Sequence, residues 1–134
     1  GRLYSLGETR RRMSDAGIGV SLFIAPDISQ VAASAKTGAQ FIELHTGQFA
    51  EHFSDVTARE RELNRLIAAA NEAHRLGLRV NAGHGLNYEN LAALHRVPHL
   101  VELNIGHSIV SRAVFAGMTQ AVKDMLRVME GYPG

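Results

Sequence analysis

Two nearly identical strand endings constrain this chain more than any other feature. Asn81-Ala82-Gly83-His84 returns 23 residues later as Asn104-Ile105-Gly106-His107, each copy directly after a short apolar run that reads as a buried strand. A third run, Phe41-Ile42-Glu43-Leu44-His45-Thr46-Gly47, also closes on histidine and glycine. A barrel-like repeat of this kind sets glycine backbone and imidazole side by side at neighbouring strand ends. The candidate site therefore lies along one rim of a parallel sheet.

Helix and strand alternate between these endings. Leu6 to Ala16 reads as helix ending at Gly17, and Val20 to Ile24 as a buried strand. Pro26-Asp27 turns the chain, Asp27 or Ser29 caps a helix through Ala35, Gly38 lies beyond its end, and Phe41 to His45 is the next strand. Polar residues Gln48 to Asp55 read as a loop. Thr57 to Leu76 carries Leu63, Leu66, Ile67 and Ala70 at helical spacing and stops at Gly77. Leu78 to Asn81 is a strand, Asn87 caps a helix to His95, Pro98 blocks continuation, and Leu100 to Asn104 is the fourth strand. The tail from Ser108 to Glu130 reads as helix with a break near Gly117, Thr119 starting the second segment.

Nearly continuous apolar strands joined by helices predict an α/β fold with a parallel sheet covered by helices. A (β/α)₈ barrel of TIM type needs about 250 residues, whereas this chain has 134. Residues 1–134 thus read as one domain, a half barrel of about four strands, with two open strand edges that favour pairing.

Composition excludes several classes. With 46% apolar residues and no long apolar run, a membrane span is not expected. The start, Gly1-Arg2-Leu3-Tyr4-Ser5, lacks the pattern of a signal peptide and reads as a processed end or a cut. Seven histidines but no cysteine exclude disulfide and thiolate chemistry and fit a cytoplasmic location. A formal net charge of +1 argues against nucleic acid, since Arg10-Arg11-Arg12 is the one basic cluster and reads as a solvated helix face.

The chemistry concentrates where strands hand over to helices. Glu43 and His45 share one face of their strand and Ile42 and Leu44 the other, which sets a carboxylate beside an imidazole. A structural ion pair for Glu43, a packing role for His45 and turn formation for Asn81 and Asn104 are the plainer alternatives. Gly83, Gly85 and Gly106 allow close approach of a ligand to backbone, and N–H groups at a helix start can hold phosphate. His84 suits general acid or base work near neutral pH and His107 donation to a phosphate oxygen. A zinc reading on His45, His84 and His107 matches no compact ligand spacing, although ligands from separate strand ends need none. His52, His74, His95 and His99 read as solvent-facing or as local caps.

Taken together, Ala16-Gly17-Ile18 before Val20 to Ile24, the Phe41 to Gly47 strand, Leu76 to Leu86, and Glu102 to Ile109 resemble the pyridoxine 5′-phosphate synthases of vitamin B6 biosynthesis. The stretches stand in family order and span nearly the whole chain. The resemblance implies a (β/α)₈ barrel that condenses 3-amino-2-oxopropyl phosphate with 1-deoxy-D-xylulose 5-phosphate, giving pyridoxine 5′-phosphate, phosphate and water, without a redox cofactor. It also implies roles: Glu43 as the carboxylate that stabilises a transition state, His84 as proton donor, and Gly85, Gly106 and His107 as phosphate-end contacts. Phosphorylated small molecules are the implied ligands, and a homo-oligomer the implied assembly.

The match covers the C-terminal half of the family pattern. The early strands, which supply a further catalytic histidine, a glutamate and phosphate-binding arginines, lie outside it, so the isolated chain is expected to be nearly inactive. Ala25 stands where the family usually has Asp. Two other readings remain, a stand-alone half-barrel module that binds a phosphorylated ligand and a metal-dependent lyase or isomerase.

Overall fold

The period-two alternation of one strand decides which way the sheet faces. In the computed structural model, which describes residues 2–133, β2 (Phe41–His45) buries Ile42 and Leu44 completely and leaves Phe41, Glu43 and His45 half-buried. The first pair points into a core built with Val80 and Ala82 of β3 (Arg79–Gly83). The second set points to the opposite, open side.

Four parallel strands form one sheet in the order β1 (Ser21–Ile24), β2, β3, β4 (Leu100–Asn104). Helices α1 (Arg2–Asp15), α2 (Ile28–Thr37), α3 (Gly47–Glu51), α4 (Val56–Arg75), α5 (Leu91–Leu94), α6 (His107–Ala116) and α7 (Met118–Met129) complete the described residues. Local chemistry sets the two helices that cover the sheet. Asp27 accepts from the Gln30 N–H at 3.0 Å and Asp55 from the Ala58 N–H at 3.0 Å, capping α2 and α4. Gly38, with φ +77°, ends α2 in the left-handed region. Leu63, Leu66, Ala69, Ala70 and Ala73 then form the buried stripe of α4. Burying each leucine there is worth about 1.5–3 kcal/mol.

The open face is ordered in rows. Phe23, Glu43, Asn81 and Glu102 are register partners across all four strands, and His45, Gly83 and Asn104 form the next row toward the strand ends. Phe23 is 57% exposed, a large apolar side chain on a sheet face without cover, as expected of an arc of half a (β/α)₈ barrel. The register shifts between Val80 and Asn81: Leu100 faces Val80, Glu102 faces Asn81, and Val101 is left over as an extra residue.

Some boundaries differ from the sequence reading. The expected loop from Gln48 to Asp55 begins as the one-turn helix α3, because Phe49 anchors it, buried and edge-on to Phe53 at 5.6 Å. Asn87 does accept from the Glu89 and Asn90 N–H groups at 2.9 Å each, but regular helix follows only over Leu91–Leu94. Strand β3 runs to Gly83, so Asn81 is a strand residue rather than a turn residue, as is Asn104 in β4. Arg10 is not part of a purely solvated face: its Nε donates to the Thr37 carbonyl at 2.9 Å and ties α1 to α2.

Candidate active site

A cleft of about 480 Å³ opens at the C-terminal ends of the strands, lined by Phe23, Glu43, Asn104 and the segments 84–87 and 105–108. The sheet brings together what the sequence reading singled out: Glu43, His84, Gly85, Gly106 and His107 all border it. His45 stands directly behind, its ring stacked on His84 with centroids 4.7 Å apart.

Glu43 is held from the neighbouring strand end. Asn104 Nδ2 donates to Glu43 Oε2 at 2.8 Å, a bond to a charged acceptor, so Asn104 orients the carboxylate, and among the described residues Glu43 has no ion-pair partner. Gly83 lies beneath. A side chain at this position would run into the Glu43 carboxylate and come within 2.9 Å of the Asn104 carbonyl, so the glycine is required by close approach. Asn81, 6% exposed, keeps its Oδ1 buried without a partner.

His84 has φ +84°, a conformation that costs a non-glycine residue roughly 1–3 kcal/mol and persists only where its surroundings enforce it. The enforcing group is Thr46, fully buried. Its N–H donates to the Gly83 carbonyl at 2.8 Å, and its hydroxyl stands 2.7 Å from that oxygen and 2.6 Å from the His84 carbonyl, sharing one proton between them. Gly85 continues the turn at φ +76°, where a Cβ would sit 2.7 Å from Ala50 Cβ. Asn90, 1% exposed, donates to the Gly85 carbonyl at 3.0 Å and accepts from the Asn87 N–H at 2.9 Å.

The second Gly-His segment opens a helix. Gly106 is the N-cap of α6, no side chain caps that end, and His107 is its first residue. In contrast to α2 and α4, the first-turn N–H groups of α6 are left for another acceptor, with the positive end of the helix dipole behind them. Ser108 donates to the Leu86 carbonyl at 2.8 Å and laces this helix start to the His84 loop. Among the described residues no Lys or Arg borders the cleft. Backbone, imidazole and dipole are therefore what this chain offers an anion there.

Burial, then the neighbouring His84, hold the His45 imidazole below its ordinary range, and Glu43 opposes this without reversing it. Among the described residues, no group of three His, Cys, Asp or Glu could hold a metal ion. The remaining histidines have local roles: His52 Nδ1 lies 3.0 Å from the Gln48 carbonyl, and His74 and His99 stack at 3.8 Å. His95 is the exception to the expected cap, with Nε2 buried and unpartnered.

Sequence reasoning missed Thr46, Asn90 and Ser108, which hold the loops by side-chain to backbone bonds. Only Thr46 carried a signal, as a hydroxyl between a strand histidine and a glycine.

Comparison with known proteins adds a family. A family model described as pyridoxal phosphate biosynthesis protein PdxJ matches residues 2–131. A pyridoxine 5′-phosphate synthase of Akkermansia muciniphila is 57% identical over 128 residues, 93% of this chain and 50% of the relative. Relatives of the same name from Idiomarina loihiensis and Thermosynechococcus vestitus are 49% identical over 130 residues and 56% over 120, covering 97% and 90% of this chain and 53% and 50% of the relatives. The chain spans about half the length of these curated relatives.

Proposed function

The chain belongs to the PdxJ family of pyridoxal phosphate biosynthesis proteins, and we propose that it is the C-terminal half of a pyridoxine 5′-phosphate synthase, residues 1–134 forming one domain. The reaction in this reading is the ring-closing condensation of 3-amino-2-oxopropyl phosphate with 1-deoxy-D-xylulose 5-phosphate. The observation that carries it is the family match over residues 2–131 together with two Gly-His strand ends bordering one cleft.

The roles in this reading are those the family resemblance implies, and the position of each residue at the cleft supports them. His84 moves protons during the dehydrations, a contribution of about 10²–10⁴-fold in rate for a well-placed acid or base. Glu43, fixed by Asn104, stabilises positive charge that develops as the carbonyl and amine condense. Gly85, Gly106 and His107 receive the phosphate at the uncapped start of α6. The missing half supplies the remaining charge for the phosphates.

Self-association is part of the same proposal. β1 and β4 each have one free edge, and Val110, Val114, Phe115, Met118, Val122 and Leu126 are exposed on α6 and α7, an apolar surface of the kind that marks an interface. Among the described residues no helix is long and apolar enough to cross a membrane. A cytoplasmic location is proposed from the cysteine-free composition.

The test is complementation by parts. This chain, co-expressed with the N-terminal half of the Akkermansia muciniphila relative, is expected to form pyridoxine 5′-phosphate from the two substrates, and His84→Ala or Glu43→Ala to abolish it. Absence of product from an assembled, folded pair overturns the proposed function. Unimpaired turnover in both variants overturns the residue assignment.

A further inference from the structure

We propose that His45 is a positioning residue for His84: its ring is the platform that fixes the plane of the His84 imidazole, and the stacked pair works with one proton rather than two. The proposal rests on the reading of His84 as the proton donor and adds to it a residue to which no role has been given.

The geometry is specific. The His45 ring is wedged between Phe23, edge-on at 5.1 Å and 74°, and His84, stacked at 4.7 Å and 29°. The following residues complete the support. Thr46 takes hold of the His84 backbone through its carbonyl, and Gly47 leaves room for both rings, since a Cβ there would press into the His45 ring and lie 3.1 Å from His84 Cδ2. Three consecutive residues at the end of β2 thus hold the ring, the backbone and the space of a histidine that belongs to β3's loop. That is enough to explain how a left-handed non-glycine residue is retained.

Electrostatics gives the pair its proton count. Two imidazolium rings stacked face to face repel strongly. The charged or titratable groups facing His45 are Glu43 on its own strand and His84 from the β3 loop, while β1 contributes the uncharged Phe23. Burial and His84 both disfavour the His45 cation. His45 is therefore held toward its neutral form behind His84, the ring of the pair that borders the cleft.

Side-chain NMR of the histidines in the 134-residue chain tests this, using wild type, His45→Phe, His45→Leu and His84→Ala. The upfield ring-current shift of the His84 ring protons is expected to persist in His45→Phe and to be lost in His45→Leu, which fills the slot without an aromatic face. The His45 titration midpoint is expected to rise in His84→Ala. In the completed barrel, His45→Leu should lower kcat with KM unchanged and His45→Phe should retain most of it. His84 shifts indifferent to His45→Leu, or a His45 midpoint indifferent to His84→Ala, overturn the proposal. Failure of the wild-type barrel to turn over would refute the proposed reaction instead, and the NMR comparison would still decide the part played by His45.

Discussion

In the first Asn-x-Gly-His copy, strand β3 continues through Gly83 and the chain then turns at His84 with φ +84°, whereas in the second the strand stops at Asn104 and His107 already begins a ten-residue helix. Gly83 is pressed between the Glu43 carboxylate and the Asn104 carbonyl, while nothing lies within 4 Å of where a Gly106 side chain would start. The asparagines diverge as well: Asn104 orients Glu43, and Asn81 is buried with an orphaned oxygen. One copy is closed, strained and packed against Glu43 and Asn104; the other is open and ends on free N–H groups. The same letters serve different chemistry because the neighbouring strand differs. β3 is flanked by β2 and β4, but among the described residues β4 has no outer neighbour.

The sharpest way to break this contrast is alanine at the two glycines. Gly83→Ala is expected to destabilise the chain by about 1–3 kcal/mol through overpacking, while Gly106→Ala stays within about 0.5 kcal/mol of wild type, both read from urea midpoints. Equal losses would dissolve the distinction. For the open copy, calorimetry with pyridoxine 5′-phosphate should show His107→Ala weakening binding about tenfold, ~1.4 kcal/mol, with unchanged stability. An unaltered affinity would move the phosphate site elsewhere.

The asparagines give a smaller effect. Replacing an orphaned buried group by an apolar one of similar shape is neutral or stabilising, so Asn81→Leu should leave stability unchanged or raise it by up to about 1 kcal/mol. A clear loss would mean that the Asn81 oxygen has a partner in solution. The smallest effect is in pH dependence. The folded His45 value lies below the ordinary 6.5 of the unfolded chain, so below that pH the unfolded state binds more protons. His45 therefore contributes stability that is complete above pH 6.5 and declines as the pH falls through its folded value. His45→Gln should flatten that part of the stability profile; an identical slope in the variant would show that the site does not perturb this histidine.

Legibility was uneven for physical reasons. The strands, the caps at Asp27 and the breaks at Gly38 and Gly117 follow from local rules of periodicity, capping and glycine conformation, and they stand where the sequence reading put them within a residue or two. Helix α3 escaped because its determinant, the burial of Phe49, is a contact with the core rather than a local signal. The candidate site residues were visible as residue types at strand ends. Their partners were not, since Glu43 meets Asn104 across 61 positions and Thr46 meets His84 across 38.

The amino-acid sequence alone determined the α/β class, the parallel order implied by its crossovers, the rim on which glycine and histidine gather, and the resemblance that led to the family. These depend on patterns within single elements. Tertiary structure decided which glycine has no room for a side chain, that a histidine is held in a left-handed turn, which asparagine orients the carboxylate, and that His45 lies against His84. Those facts depend on register between strands far apart in the chain, and a shift of one residue would exchange the open face for the buried one.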